Sequence, residues 1–256
     1  MPRWRLFLTG PASGSENMAL DEALMSRART TGEWVLRVYS WIGPTLSLGR
    51  NQCARAAYEP RALAGAGVGV VRRPTGGRAV LHDREVTYSV TAPAVDAGAL
   101  QESYGRINRL LLDGLRSLGV AAEVAHVARA PKPDLSPCFD RPSPGELMAA
   151  GRKLAGSAQW RDQGALLQHG SILVDGDQVP VSALLREPTP PSTPPATLRA
   201  LLGREPTLHE VAAALFDAVR RHEDPRATEM IADAALIDAM TALRSRYEDA
   251  AWTWRR

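Results

Sequence analysis

The sequence has few cysteines, few aromatic residues and no long apolar run. Aromatic residues make up 5% of its 256 residues, and no apolar stretch approaches the roughly 20 residues of a membrane-spanning helix. The first ten residues have a basic start but lack an apolar stretch of signal-peptide length. We therefore expect a cytoplasmic protein that does not interact with a membrane. We also expect Cys53 and Cys138 to stay reduced, as cytosolic thiols do.

The sequence also lacks a large excess of either positive or negative charge. The 31 basic and 28 acidic side chains leave a net charge of +3, with an isoelectric point near 9.1. This excess is too small, and the basic residues are too dispersed, to predict nucleic-acid binding. A mild positive field can, however, favour the docking of an acidic protein partner.

Lysine is the scarcest charged residue. Among 31 basic residues only Lys132 and Lys153 are lysine, and the rest are arginine. The base composition of the genome is enough to explain such a bias. Against that background, a retained lysine can mark a position where a compact ammonium must approach a reacting atom. Lys132 lies in a proline-flanked stretch and fits chance, whereas Lys153 lies in a segment with other unusual features.

Helix and strand patterns are interleaved along the chain. Apolar residues at a 3.6-residue spacing predict helices, and alternating or compact apolar runs predict strands. The predicted helices cover 15–28, 60–65 and 100–118, and the predicted strands cover 4–8, 34–40, 45–48, 68–71, 79–81, 85–91, 120–127, 147–150, 153–160 and 165–174. This order, with several hairpins, indicates an α+β (mixed α/β) fold with mixed, largely antiparallel sheets flanked by helices.

Two proline-rich stretches interrupt these patterns. Residues 128–145 are predicted to form a loop, and residues 180–206 are predicted to be a surface connection. Residues 207–256 are predicted to form two or three helices. We therefore expect one main domain over 1–206 and a C-terminal helical extension over 207–256 that packs on the same domain.

The first candidate site is the segment Arg-Arg-Pro-Thr-Gly-Gly-Arg-Ala-Val-Leu-His-Asp at 72–83. A buried strand leads into two arginines and then into a turn with paired glycines, Gly76 and Gly77. Such a turn lets backbone amides approach a ligand closely because no Cβ intervenes. A hairpin with charged flanks explains the same pattern without a ligand.

The second candidate is the run Gly-Arg-Lys-Leu-Ala-Gly-Ser-Ala-Gln at 151–159. Glycine weakens a strand unless backbone or ligand comes close, so these small residues leave room for a ligand, or else pack under a helix. His169 on the next strand is a candidate for positioning, although a histidine on a central strand is more often structural. No second histidine or acid accompanies it at metal-ligand spacing, so we expect no metal.

The third candidate is Cys138, in a loop bounded by prolines. A cysteine there is neither a typical core residue nor half of a disulfide. With a cation nearby it could be a thiolate nucleophile, whereas a lone cysteine is usually structural. Cys53 has no comparable neighbours.

Taken together and in order, these segments resemble the lipoate–biotin protein ligase and octanoyltransferase superfamily. Segment 72–83 resembles the acyl-binding loop of that superfamily, and 151–159 resembles the strand that carries its catalytic lysine. Segments 17–23 and 46–49 match its N-terminal pattern. The resemblance covers 4–175 well and the helical tail loosely. It implies that the main domain is a catalytic domain with a lipoate–protein ligase-like fold.

The segment Cys138-Phe139-Asp140-Arg141-Pro142-Ser143 is similar to the Cys-Phe-Asp-x-Pro-Ser segment of the cysteine-dependent octanoyltransferases. The resemblance implies an acyltransferase without a cofactor, with Cys138 as the acyl carrier and Lys153 as the second catalytic residue. It also implies that His82 and His169 help in positioning. The residues implied in substrate binding are Arg72, Arg73, Thr75, Gly76, Gly77, His82, Gly156, Ser157, Ala158, Gln159 and His169.

The resemblance also implies the partners. Octanoyl would pass from an acyl carrier protein to the lysine of a lipoyl-accepting protein, such as the glycine cleavage H protein or a 2-oxoacid dehydrogenase lipoyl domain. We expect a monomer. An ATP-dependent lipoate–protein ligase catalytic subunit is the first alternative, and it would need no cysteine. A non-catalytic binder of lipoyl domains or acyl carriers is the second, and it would need neither Cys138 nor Lys153. A third branch, the amidotransferases, places its cysteine differently.

Overall fold

The computed structural model describes residues 2–95, 97–127, 138–139, 142–176, 181, 183–187 and 194–256. Within these residues the strands are β1 (Trp4–Leu8), β2 (Trp34–Tyr39), β3 (Thr45–Leu48), β4 (Gly69–Arg72), β5 (Val80–His82), β6 (Glu85–Pro93), β7 (Ala122–Val124), β8 (Leu147–Ala149), β9 (Arg152–Asp162), β10 (Ala165–Leu173) and β11 (Thr228–Glu229). The helices are α1 (Gly14–Thr31), α2 (Pro60–Gly65), α3 (Leu100–Ser117), α4 (Leu198–Leu202), α5 (Leu208–His222), α6 (Ala234–Glu248) and α7 (Ala250–Thr253).

The strands form two sheets. The larger sheet has eight strands in the order β11-β1-β2-β6-β10-β9-β8-β7. Strand β1 runs parallel to β2 and β11, and the other neighbouring pairs are antiparallel. The smaller sheet has the order β4-β3-β5, with β3 parallel to β4 and antiparallel to β5. The prediction of mixed, largely antiparallel sheets is therefore confirmed.

Helix α1 is bounded by local signals. The Ser13 hydroxyl accepts a hydrogen bond from the Glu16 amide, and the Glu16 carboxylate accepts one from the Ser13 amide, which is a capping box. Gly32 ends the helix with φ of 70°, a left-handed conformation that favours glycine. Between these ends, α1 carries Asn17 and Asp21, both fully buried, against the larger sheet.

Helices cover both faces of the larger sheet. On one face, α3 and α5 pack over the fully buried Trp4 and Trp34. Gly114 lets these helices approach each other, because a Cβ there would lie 2.7 Å from Leu215 Cδ2. Full burial of a side chain such as Leu215 contributes about 1.5–3 kcal/mol. On the other face, α1 and α6 pack over β1 and β2 around Phe7.

The proline-dense stretch differs from its prediction. We expected 180–206 to be a surface connection, but Ala196 and Leu198 are fully buried in the core beneath α3 and α5. Thr197 caps α4 by accepting a hydrogen bond from the Ala200 amide. The prediction was wrong here because the burial of this short apolar segment depends on strands that are distant in sequence. The strand predicted at 120–127 is also shorter than expected and is reduced to β7.

The C-terminal region forms the three helices α5, α6 and α7, within the predicted two or three. The short strand β11 of the same region joins the larger sheet beside β1. Most of the loop predicted at 128–145, including Lys132, lies outside the described residues. None of the helices in the described ranges is both long and apolar enough to cross a membrane.

Candidate active site

A cavity of about 640 Å³ lies between the larger and the smaller sheet. This volume is within the roughly 300–1000 Å³ that is common for small-ligand sites. Strands β9 and β10 form one wall, and the smaller sheet with the turn after β4 forms the opposite wall. The predicted site residues that line it are Arg73, Gly76, Gly77, His82, Cys138, Gly156, Ser157, Ala158 and His169.

The structure brings the thiol of Cys138 and the ammonium of Lys153 together beside this cavity. Sγ of Cys138 lies 3.6 Å from Nζ of Lys153, and Nζ donates to the backbone oxygen of Cys138 at 2.8 Å. The Cys138 amide donates to the Ala79 carbonyl at 3.1 Å and so ties this segment to the start of β5. Cys138 is partly exposed, so a substrate can reach it, whereas Lys153 is 3% exposed.

Glu146 is a partner of Lys153 that the sequence analysis missed. Its Oε2 lies 2.7 Å from Lys153 Nζ, and both side chains are buried. The Ser143 amide holds the same oxygen by donating to it at 2.6 Å. A buried ammonium costs several kcal/mol unless it is paired, so Glu146 allows Lys153 to stay charged. Strands β8 and β9 pair so that Met148 lies opposite Lys153, and Glu146 lies two residues before Met148. Pairing the two predicted strands in this register is the signal that could have placed Glu146 near Lys153.

Gly156 leaves the space that the Lys153 ammonium occupies. A Cβ at Gly156 would lie 3.0 Å from Lys153 Cε and 3.1 Å from its Nζ. The same Cβ would lie 3.5 Å from Cys138 Sγ. The sequence predicted that Gly156 leaves room for a ligand, and the space at Gly156 is occupied by the side chain of Lys153.

We expect the substitution Gly156→Ala to displace the Lys153 ammonium from the thiol. Losing one charge-assisted hydrogen bond costs about 1.5–3 kcal/mol, and the thiolate is the reactive form of cysteine. Alkylation of Cys138 by iodoacetamide at neutral pH should therefore slow by about tenfold or more. Intact mass in a Cys53→Ser background follows the reaction. Gly43→Ala is the control, since a Cβ there has no atom within 4 Å. An unchanged rate in Gly156→Ala would contradict the expected influence of Lys153.

His169 of β10 links α1 to the turn after β4. Its Nδ1 lies 3.1 Å from Asp21 Oδ2, and its Nε2 lies 2.6 Å from the Thr75 hydroxyl oxygen. Burial lowers the pKa of His169 below its usual 6.5, although Asp21 opposes this shift. A neutral imidazole then donates from Nδ1 to Asp21 and accepts from Thr75 at Nε2. Thr75 does not line the cavity, but it helps to orient the His169 ring, which does.

Asp21 is the charged anchor of this chain of contacts and was missed by sequence reasoning. Its carboxylate accepts hydrogen bonds from Arg37 at 2.8 Å, Tyr39 at 2.8 Å and Ser89 at 2.7 Å. Burial would raise the pKa of Asp21, but the hydrogen bond from His169 and the charge of Arg37 outweigh burial and hold it below its usual value. The position within the matched N-terminal segment 17–23 is the signal that could have found it.

We expect protein stability to fall as the pH drops through 6.5. The unfolded chain protonates His169 near pH 6.5, whereas the folded chain keeps it neutral to lower pH, so acid favours unfolding in that window. Asp21 adds a second loss below about pH 3.8, because its folded-state pKa is also lowered. Thermal melts between about pH 7.5 and 4.5 should show a shallower loss for His169→Gln than for the wild type. Parallel curves would contradict this assignment.

His82 of β5 lies on the opposite wall of the cavity. Its Nε2 lies 2.8 Å from Ser47 Oγ, and its Nδ1 lies 3.3 Å from Glu85 Oε1. The imidazole stacks on Trp41 with 4.0 Å between ring centroids. Glu85, which sequence reasoning also missed, accepts a hydrogen bond from Ser171. The contacts with Ser47, Glu85 and Trp41 hold the His82 ring in one orientation, as expected for a residue that positions the cavity wall.

Besides Thr75, two residues predicted to bind substrate do not line the cavity. Arg72 is fully buried, and its guanidinium donates to backbone carbonyls in the 49–52 turn and at Thr253. Gln159 donates to Gln168 at 3.1 Å on the α3 side of the larger sheet. Side chains alternate between the two faces of a strand. Ala158 lines the cavity, so Gln159, the next residue of β9, points to the opposite face.

Arg73 holds the glycine turn from behind. Its guanidinium donates to the carbonyls of Ser47 at 2.8 Å, Gly76 at 2.8 Å and Arg78 at 2.7 Å. Within the described part of the chain no carboxylate pairs with it. Burial lowers the pKa of Arg73 to about 10, and the nearby Cys138 opposes this shift. Arg73 is therefore protonated at neutral pH and places a second buried cation near the thiol.

The turn needs glycine for its backbone. Gly77 has φ of 94°, which disfavours a Cβ. Gly49 packs against it so closely that a Cβ at Gly49 would lie 1.9 Å from the Gly77 carbonyl oxygen. At Gly76, in contrast, a Cβ would have no atom within 4 Å, so this residue borders open space.

Both cysteines are free thiols. Cys53 is exposed and also lines the cavity. Among the residues that the structure describes, no three His, Cys, Asp or Glu side chains are grouped so that they could hold a metal ion.

The sequence matches the family model of the lipoyl protein ligase A/B catalytic domain over residues 13–220. It is 48% identical over 200 residues to the octanoyltransferase LipM of Kyrpidia tusciae, which covers 74% of this chain and 72% of that protein. It is 34% identical over 280 residues to the octanoyltransferase LipM of Anoxybacillus flavithermus, which covers 99% and 98%. Its fold is similar to that of a lipoate-protein ligase A bound with ATP, with a TM-score of 0.79, 24% identity and coverage of 99% and 98%.

The chain therefore belongs to the lipoyl protein ligase A/B catalytic domain family. Within that family its relatives place it in the octanoyltransferase branch, and it is an acyltransferase. The predicted superfamily and branch are confirmed. The likeness to the ligase structure shows the shared fold and confirms the predicted lipoate–protein ligase-like architecture.

Proposed function

We propose that the enzyme transfers an octanoyl group from the thioester of an acyl carrier protein to the lysine amine of a lipoyl-accepting protein, through a thioester on Cys138. The observation that carries this proposal is the 3.6 Å approach of Cys138 Sγ to Lys153 Nζ beside the cavity. The name of the relatives, octanoyltransferase, supports the identity of the acyl group. The acceptor is the glycine cleavage H protein or the lipoyl domain of a 2-oxoacid dehydrogenase, and the enzyme acts as a monomer without a cofactor.

The first step is an exchange of thioesters. The Cys138 thiolate attacks the acyl carbon, a bond forms from Sγ to that carbon, and the bond to the carrier sulfur breaks. The carrier thiolate leaves and takes up a proton. One thioester replaces another, so the step is close to neutral in free energy and needs no ATP.

The second step forms the amide. The neutral amine of the acceptor lysine attacks the acyl carbon, a C–N bond forms and the bond to Sγ breaks. Sγ leaves as the thiolate, and the proton that the nitrogen loses passes to solvent. Amide formation from a thioester is downhill. Dividing one difficult transfer into two easier steps is the usual benefit of a covalent intermediate.

The charges around the thiol favour this chemistry. Besides Lys153, whose ammonium is paired with Glu146, the guanidinium groups of Arg73 and Arg78 lie near Cys138, and Arg78 donates to the Cys138 backbone oxygen at 3.5 Å. A buried group of charges is less costly when its members are paired, so the thiolate fits this setting. The Lys153 ammonium can also donate to the acyl oxygen as negative charge develops on it.

The acyl chain lies between the two walls of the cavity. Gly76 and Gly77 border it on one side, and the small residues 156–158 border it on the other. His82 and His169 keep these walls in place through their fixed hydrogen-bond partners. Because neither wall carries a bulky side chain at these positions, an unbranched aliphatic chain can pass between them.

The direct test is intact mass after incubation with octanoyl-carrier protein. We expect an octanoyl adduct that hydroxylamine removes and that forms without ATP. Addition of a lipoyl acceptor should discharge the adduct and yield the octanoylated acceptor.

Other results would identify the alternatives. No adduct, together with lipoate-dependent exchange of ATP and pyrophosphate, would make the protein a ligase. Stoichiometric binding of a lipoyl domain without turnover would make it a non-catalytic binder.

A further inference from the structure

A group of arginines lies at one side of the cavity entrance. Residues 51–53 line the cavity, and two of the three are exposed. The C-terminal residues pack on this turn, where the backbone oxygen of Arg256 accepts hydrogen bonds from the amides of Ala54 at 2.9 Å and Arg55 at 3.0 Å. Four arginines are thereby brought together, and we call them the arginine cluster: Arg50, Arg55, Arg255 and Arg256.

Among the described residues, no aspartate or glutamate side chain pairs with the arginine cluster. Residues 49–58 and 250–256 contain no aspartate or glutamate. Elsewhere on the surface, arginines such as Arg84 and Arg221 face carboxylates, whereas none of the four forms a salt bridge within the described ranges. The main-chain carboxylate of Arg256 offsets one of the four charges, and the cluster keeps a net positive charge that no aspartate or glutamate among the described residues pairs with.

Neutral groups hold the side chains of the cluster in place. The Arg50 guanidinium lies over the Trp160 ring at 4.9 Å, and the Arg255 guanidinium lies over the Trp252 ring at 3.9 Å. Arg255 also donates to the backbone oxygen of Arg50 at 2.6 Å. Burial, followed by the charges of Arg50 and Arg256, lowers the pKa of Arg255. The like charges are thus close enough to repel one another, and a negative partner would relieve that repulsion.

The positive field extends from the entrance into the protein. Burial, followed by the charges of Arg255 and Arg256, lowers the pKa of Arg72 to about 10. Arg73, next along the chain, lines the cavity and lies near Cys138. A negatively charged ligand that enters on this side is therefore attracted along the path that leads to the thiol.

We propose that the arginine cluster docks the acyl donor, an acidic carrier protein whose thioester arm contains a phosphodiester. This inference rests on the proposed function. Guanidinium groups match phosphate oxygens in pairs, so the arm can be held at the entrance while its thioester reaches Cys138. The acceptor presents a lysine amine and brings no phosphate, so the cluster acts in the donor step and not in the acceptor step.

The test compares two donors with two double variants. One variant combines Arg55→Gln with Arg255→Gln, and the control combines Arg109→Gln with Arg116→Gln, which are exposed on α3 at the opposite face of the larger sheet. The donors are octanoyl-carrier protein and octanoyl-pantetheine, which lacks both the protein and the phosphate. The rate of Cys138 octanoylation is followed by intact mass at about 50 mM and about 500 mM salt.

We expect the cluster variant to be acylated by the carrier at least about tenfold more slowly at low salt, with a smaller difference at high salt. Its rate with octanoyl-pantetheine should be unchanged, and the control variant should stay within about twofold of the wild type with both donors. Normal acylation by octanoyl-pantetheine also shows that the variant is folded.

Three results would overturn the proposal. The first is equal use of the carrier by the variant and the wild type. The second is an equal slowing with both donors. The third is a slowing confined to the discharge of preformed octanoyl-enzyme to the acceptor. A wild-type enzyme that forms no octanoyl adduct with either donor is a separate result, since it contradicts the proposed function itself.

Discussion

Replacement of Cys138 by serine is expected to reduce octanoyl transfer by about 10⁴-fold or more, the scale of loss when a catalytic nucleophile is removed. A hydroxyl needs a base to activate it. Lys153 is not free to serve as that base, because its Nζ is paired with Glu146 at 2.7 Å. The same variant should form no octanoyl adduct. Both quantities are measured by mass, on the enzyme and on the lipoyl acceptor.

The matched control is Cys53→Ser, which removes the second free thiol. Cys53 is exposed at the outer part of the cavity, and we expect that variant to keep its activity within about twofold. A Cys138→Ser enzyme that keeps more than a tenth of the wild-type rate and carries no acyl adduct would show that the acyl group passes directly from donor to acceptor.

Replacement of Lys153 by arginine is expected to be nearly as damaging as replacement by methionine, with a loss of about 10²- to 10³-fold for each. The ammonium is enclosed by Glu146 at 2.7 Å and the Cys138 carbonyl at 2.8 Å, and it lies so close to Gly156 that a Cβ there would be 3.1 Å from Nζ. A planar guanidinium is larger than this space and delivers its charge at other points. The position of the charge, not its presence, is then decisive.

The two Lys153 variants should differ in stability. Lys153→Met leaves Glu146 buried without its partner, which costs about 3–5 kcal/mol, whereas arginine keeps a positive charge nearby. Adding Glu146→Gln to Lys153→Met should recover much of the melting temperature but none of the activity. Thermal melts and single-turnover acylation separate these effects, with Arg152→Lys as the control on the adjacent residue. Near-normal activity in Lys153→Arg would contradict this account.

Arg73 and Lys153, two of the cations near the thiol, differ in what they can do. Arg73 is tied to three backbone carbonyls of the smaller sheet and its turn, so it supplies a fixed positive field. Lys153 carries its charge on a single rotatable group beside Sγ. It can therefore follow the negative charge as that charge moves from the sulfur to the acyl oxygen.

Most of the fold could be predicted from the sequence because its signals are local. The apolar spacing at 100–118 predicts α3, and the alternating stretches predict strands whose pairing follows from short turns. The exception at 194–202 is instructive. Ala196 and Leu198 are buried against strands from both halves of the chain, and a proline-rich composition gives no local sign of such contacts.

The linear order of residues was enough to establish the family resemblance, the branch, and Cys138 and Lys153 as candidates, because these depend on which residues occur and in what sequence. The tertiary structure alone decided which way each side chain points. It turned Arg72 and Gln159 away from the cavity and brought Asp21 to His169 across 148 residues of chain. It also supplied Glu146 as the counter-charge of Lys153. The physical reason is that burial and charge pairing depend on distances through space, which only the packed sheets and helices define.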